Sequence, residues 1–221
     1  GATTCPATVE GTADSYPLVD GARYAYEVHQ AHGTIGDPDP QGTATYQSFI
    51  QFEAQGGGVF HRTWYDADYT TPDDWDVLQR SGGALEYLGF RDVDGDQTAD
   101  IAFDSPLTYV TLPPSGTWAD QTTATIPGQG EVTLAGEGEV VGRVDLDWYP
   151  GGDGQPAIFW KDVSLVIIEH TITADQTLIE AGVDSLWLAA GYGIVKYANA
   201  NESPQEGEWE HETGLILSAG D

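Results

Sequence analysis

Turn-forming residues punctuate this chain about every ten residues, and between them side chains alternate in the period-two manner of half-buried strands. Twenty-eight Gly and twelve Pro break any long helical period. Tyr24, Tyr26 and Val28 alternate with smaller or polar neighbours across residues 22–29. Residues 44–53 and 58–65 form a hairpin pair around Gly56-Gly57-Gly58, and 78–80 and 84–90 form another around Ser81-Gly82-Gly83. Three alternating runs follow at 121–126, 130–141 and 142–149, then a strongly β segment at 157–173. Residues 177–182 read as a strand or a turn of helix, and 185–189 pairs with 193–198. No βαβ alternation appears. The sequence predicts an all-β fold, an antiparallel curved sheet or a β-sandwich, with long acidic loops at 66–76 and 92–100 and very little helix. It divides into an N-terminal arm (1–15), a β-domain (16–198) and a tail or final strand (199–221).

Charge limits function more than fold. Thirty-six Asp and Glu face seven Lys and Arg, a formal charge of −29 over 221 residues. A chain so charged is repelled by phosphate and is no general nucleic-acid binder. It suits a salty or calcium-rich exterior, where ions screen self-repulsion, and its Asp-rich, Lys-poor composition is halophilic in character. Apolar residues make up 40% of the chain, enough for a real core and unlike an acidic disordered tail. No apolar run reaches the ~18–20 residues of a membrane-spanning helix. With Cys5 alone, no internal disulfide forms. The absent initiator Met suggests export with a removed signal peptide; Cys5 as a lipid-anchor residue is the less favoured alternative.

The sharpest motif is Asp92-Val93-Asp94-Gly95-Asp96-Gln97-Thr98-Ala99-Asp100. Calcium takes six to eight hard oxygens, and a wrapped loop supplies them from alternate residues. Asp92, Asp94 and Asp96 offer side-chain oxygens, Thr98 its carbonyl, and Asp100 closes the shell, with Gly95 at the sharp turn. Position twelve holds Phe103 instead of the Glu of a helix-loop-helix site. Ca2+ is therefore the expected ion, in a structural role. Asp66, Asp68, Asp73, Asp74 and Asp76 match no ligand template and read first as a solvated stretch and second as another calcium site. Trp64, Tyr65, Tyr69 and Trp75 read first as plugs of a sheet core and second as a stacking surface for a sugar. The five histidines lack metal-site spacing. No nucleophile elbow or phosphate loop is present, and no carboxylate pair stands out as glycosidic.

Two segments resemble a loosely defined family of bacterial exported proteins and lipoproteins of uncharacterised function. Residues 16–26, Tyr16-Pro17-Leu18-Val19-Asp20-Gly21-Ala22-Arg23-Tyr24-Ala25-Tyr26, resemble its opening YPLxxGxxWxY element, with Tyr24 in place of Trp. Residues 186–197, from Leu186-Trp187 through Gly191-Tyr192-Gly193 to Lys196-Tyr197, resemble its closing WYAxGVGxVK element. Gly116-Thr117-Trp118 falls where the family repeats a GdsW turn. The resemblance implies a curved antiparallel sheet at the cell envelope and transfers no catalytic residue.

The expected protein is thus extracellular, calcium-stabilised and non-catalytic, a binding or structural component of the cell surface. One alternative is a filament or surface-layer subunit, in which the apolar stretch 214–217 pairs with the open sheet edge of a second copy. Another is an envelope carrier cradling a lipid or small ligand. Calcium at 92–100 is expected to raise the melting temperature by several degrees, since hundredfold saturation is worth about 2.7 kcal/mol. Identical melts in calcium and in chelator would refute it.

Overall fold

A computed structural model of the chain describes residues 16–65, 72–94, 97–148 and 158–220. Among the described residues its strands follow one another without helix: β1 (Arg23–Thr34), β2 (Gly42–Gly56), β3 (Val59–Tyr65), β4 (Pro72–Ser81), β5 (Ala84–Asp94), β6 (Gln97–Thr111), β7 (Thr117–Ile126), β8 (Gly130–Trp148), β9 (Ile158–Ala174), β10 (Thr177–Ala189), β11 (Gly193–Ser203) and β12 (Glu208–Gly220). Each strand pairs antiparallel with the next, and β12 returns to pair with β1, closing a twelve-stranded barrel.

The expected open sheet or sandwich is therefore corrected. Arg23 to Thr34 pair with Gly220 back to Glu208, a contact between the two ends of the sequence that no local pattern encodes. The stretch 214–217, expected as a final strand or as one pairing with a second copy, lies in the final strand β12, which pairs with β1 on one side and, up to Leu215, with β11 on the other. The acidic loops shrink too. Residues 72–76 belong to β4, 92–94 to β5 and 97–100 to β6.

Local chemistry explains the turns. Gly82 and Gly83 both have positive φ (57° and 86°) between the paired Ser81 and Ala84, as a two-residue primed hairpin demands. Asp175 and Gln176 do the same job at φ 47° and 66° between Ala174 and Thr177. The two runs 130–141 and 142–149 merge into the single strand β8, where the register shifts between Val140 and Gly142. Gly142 thus marks a bulge and not a break.

One seam is stitched differently. Only Phe103↔Ala124 pairs directly between β6 and β7. Pro106 lacks an N–H for a ladder there. Side chains take over: Ser105 N and Thr108 N donate to Thr122 Oγ1 (3.0 Å) and Asp120 Oδ2 (3.3 Å), and Trp118 Nε1 donates to Thr108 O (3.1 Å).

The two ends of the barrel differ. At the end where β1 begins, the chain before it enters the bore. Val19 to Ala22 forms a tight turn with Gly21 at φ 80°, and Tyr16 is carried inside. Around Tyr16 lie Phe52 and Tyr109 in edge-to-face contact, with Tyr24, Tyr26, Leu78, Leu85 and Leu188 filling the rest. The space left beside Tyr16 and Arg62 is about 10 Å³, the room of one water and not of an acyl chain. A second cluster of Ile101, Ala124, Ile126, Val132 and Leu134 fills the opposite end beneath β6–β8.

Within the sealed half lies Arg62, buried and hydrogen-bonded through all three of its nitrogens. Its Nε and Nη2 donate to Asp76 Oδ2 (2.7 and 2.5 Å), and Nη1 donates to the hydroxyls of Tyr16 (2.9 Å) and Tyr109 (3.4 Å). Tyr87 donates to the other Asp76 oxygen at 2.8 Å. Truncating one partner of such a pair leaves the other charge buried and bare. Arg62→Ala is expected to cost about 3–5 kcal/mol in urea denaturation, whereas Arg62→Leu combined with Asp76→Leu recovers most of that loss. Equal loss in the single and double variants would count against the pair.

Candidate functional site

Strand alternation sends every second side chain into the bore, and the register aligns these inward positions as rungs. One rung joins Val28, Gly214, Tyr197, Leu186, Val166 and Val140 across β1, β12, β11, β10, β9 and β8. It is apolar apart from the Tyr197 hydroxyl. Gly214 is obligatory there, because a Cβ would overlap the Tyr197 ring.

The next rung towards the open end reads Gln30, Glu212, Asn199 and Asp184 over the same first four strands. The one beyond reads His32, Glu210, Asn201, Gly182, then His170 on β9 and Gly136 on β8. Polarity therefore changes along the bore, from an apolar layer to two polar layers at the mouth. On β2 the matching positions are Tyr46, Ala44 and Gly42. The His32 ring lies over Gly42, and Tyr46 is 37% exposed.

Several of these side chains are fixed. Glu212 accepts from Tyr197 (2.6 Å) and from Tyr46 (2.8 Å), so one carboxylate is held by two phenols from different strands. Burial, followed by the nearby Glu212, pushes the Tyr197 pKa far above its usual value, so it stays a donor. His170 Nε2 lies 3.4 Å from Glu180 Oε1, and its Nδ1 lies 3.7 Å from Asp184 Oδ2. Burial raises the Asp184 pKa, only partly offset by the charges of His170 and Arg62. Asn201 and His170 both lean over Gly182, where a Cβ would overlap them. The amide oxygen of Asn201 is buried there without a donor among the described residues. A buried acceptor left bare costs about 1–3 kcal/mol, which a donor brought by a ligand relieves.

The residues singled out by sequence lie elsewhere. Asp92 and Asp94 end β5 while Thr98 and Asp100 begin β6, with Asp94 in register with Gln97. Gly95 and Asp96 lie outside the described residues, as do the side chains of residues 92–98. Asp100 accepts from Arg91 at 2.9 and 3.3 Å. Among the described residues, no group of three His, Cys, Asp or Glu side chains is arranged to hold a metal ion. Of the acidic stretch at 66–76, Asp66 and Asp68 lie outside the described residues, while Asp76 is the partner of Arg62.

The aromatic set divides as well. Trp64 packs inward, edge-on to Tyr197 and within cation–π distance of Arg62. Trp75 is stacked on His61 at 5.2 Å and has Arg91 over its ring at 3.3 Å. Tyr65 donates to Glu53, and Tyr69 lies outside the described residues, as do Cys5 and the whole arm 1–15. The mouth residues were missed by sequence reading because they are scattered from Gln30 to Glu212. The signal that finds them is a shift, strand by strand, from apolar to polar at alternate positions: Tyr26-Val28-Gln30-His32 on β1, Tyr197-Asn199-Asn201 on β11.

No family model and no curated protein matches the chain. Among solved structures, a proposed exported protein with a YmcC-like fold from Bacteroides fragilis is similar at TM-score 0.48 and 13% identity, over 93% of this chain and 98% of its own. The described residues contain no helix long and apolar enough to cross a membrane.

Tyr197→Phe removes the shorter of the two bonds to Glu212 and leaves the ring packing in place. It is expected to destabilise the barrel by about 1–3 kcal/mol in denaturant titration, with Tyr46→Phe, at a more exposed rim, costing less. The reverse order would show that Glu212 is held mainly from β2.

Proposed function

We propose that this chain is an exported, non-catalytic barrel of the cell surface that binds a small, donor-rich polar ligand in its mouth. The observation that carries this reading is the bare, buried amide oxygen of Asn201, which lies with His170 over Gly182 at the barrel end away from Tyr16. Mouths of β-barrels are a recurrent place for such sites. Binding fits better than turnover, because both ring nitrogens of His170 are already aimed at carboxylates of the neighbouring strand, Glu180 and Asp184. The outer wall supports a water-facing barrel: Glu137 and Glu169 stand opposite each other on neighbouring strands, and both are exposed. A membrane-spanning barrel carries an apolar outer band instead. Export is supported by the carboxylate-coated composition, which suits a salty exterior.

Calcium at residues 92–100 belongs to the same proposal and rests on the alternating Asp spacing. Asp100 would share its carboxylate between Arg91 and the ion.

A thermal-shift panel of neutral saccharides, polyols and small ammonium compounds tests the mouth. At least one class is expected to raise the melting temperature of the wild type by several degrees and to leave Asn201→Leu unmoved. Absence of any shift across the panel, or equal shifts in both proteins, would overturn the reading.

A further inference from the structure

We propose that His170 is a pH-dependent latch on the barrel mouth: protonated, it ties β9 to β10 at the rim, and on losing that proton it releases the hairpin beyond. The inference does not depend on what the mouth binds.

The geometry is that of a clamp. His170 on β9 sits opposite Gly182 on β10, with Glu180 and Asp184 two positions to either side, and each ring nitrogen faces one of those carboxylates. A doubly protonated ring satisfies both; a neutral ring has one N–H and must turn a bare nitrogen towards a carboxylate. Gly182 is what lets the ring lie flat against β10, since any Cβ there would overlap it.

Beyond the clamp the hairpin is poised to loosen. Its tip, Asp175-Gln176, holds two non-glycine residues at positive φ, a conformation that costs free energy and persists only while its surroundings impose it. The register shifts between Leu178 and Glu180, so the ladder is already interrupted between tip and clamp.

Other charges around His170 do not replace the latch. On β8 it faces Gly136, flanked by Leu134 and Gly138, none of them titratable. Asp120 on β7, paired with Gly136, is occupied by Thr108 and by its own neighbour Gln121. From β11 comes only the neutral Asn201. Across the bore, Arg62 and Asp76 act on Asp184, and they are bound chiefly to each other. Burial alone would lower the His170 pKa, but the hydrogen bond to Glu180 and the charges of Asp184 and Glu180 outweigh it, and the net direction is upward. A histidine whose pKa is raised on folding stabilises fully below its free value of about 6.5 and loses that contribution as pH climbs through the folded value. Asp184, raised chiefly by burial, has the same sign, its contribution fading as pH rises from 3.8 through its own folded value.

Native-state hydrogen exchange of the whole protein, in about 1 M salt to screen the general surface charge, tests this. Corrected for intrinsic rates, protection of the amides at 171–174 and 177–184 is expected to fall about tenfold between pH 6 and pH 8.5 in the wild type, and to stay level in His170→Gln. Glu180→Gln, which keeps the histidine, is expected to move the fall to lower pH, and it serves if His170→Gln does not fold. A wild-type profile flat with pH, the same fall in His170→Gln, an unmoved fall in Glu180→Gln, or an NMR titration of His170 at or below about 6.5 would each overturn the latch.

Discussion

A guanidinium buried inside a barrel must be surrounded by acceptors before anything else can pack, and the arrangement around Arg62 shows how far that demand reaches. Asp76 on β4 takes two of its N–H groups, Tyr109 on β6 takes a share of another, and Tyr16 arrives from outside the strand order to complete the set. Tyr87 on β5 then satisfies the remaining Asp76 oxygen. Four consecutive strands and the N-terminal segment are thereby fixed to one charge. The segment that seals the bore is held there by this need, and Arg80 reinforces it by donating to Tyr16 O at 2.6 Å. Burial pushes the hydroxyl pKa of Tyr16 and Tyr87 upward, so both remain neutral donors or acceptors around the ion pair.

Sealing one end gives the other its meaning. Twelve strands enclose more space than an eight-stranded barrel, whose side chains just fill its bore. Here the surplus is taken up unevenly. Aromatic rings lie over glycines on neighbouring strands, Tyr197 over Gly214 and Trp118 over Gly138, which lets large side chains lie flat against the wall. Beneath β6–β8 a second apolar cluster fills the mouth. On the β10–β2 side the inward positions turn polar, and the glycines there are covered by polar rings and amides, His170 and Asn201 over Gly182 and His32 over Gly42. Asymmetric filling thus produces a half-mouth with donors and acceptors and a half-mouth of hydrocarbon.

How much of this the sequence disclosed follows from what is local. Glycine pairs and period-two alternation marked the hairpins at 56–58 and 82–83, because a primed turn and a half-buried strand are properties of a few adjacent residues. Asp175-Gln176 escaped notice, since neither residue advertises positive φ, and Gly142 read as a break because a bulge and a turn share the same residue. Closure escaped as well: the β1–β12 register is a relation between residues nearly two hundred positions apart. The mouth shares that fate. His170, Asp184, Asn201 and Glu212 look like dispersed surface polarity until the register lines them up. The Asp-rich motif was conspicuous because its residues are contiguous, and its two ends meet in register where Asp94 pairs with Gln97.

The carboxylate excess now divides by location. Outward-facing Glu137 and Glu169 oppose each other across a ladder, a placement that costs stability in dilute buffer and much less where salt shortens the Debye length. Several inward-facing carboxylates are treated differently and have partners of their own: Asp76 has Arg62 and Tyr87, Glu212 has two phenols, and Glu180 and Asp184 lie beside the ring of His170. The surface depends on its solvent for screening, while the interior carries its own. The two populations therefore respond to different variables. Salt governs the wall, and protons govern the mouth through His170, the one titratable donor among those interior partners that changes charge near neutral pH.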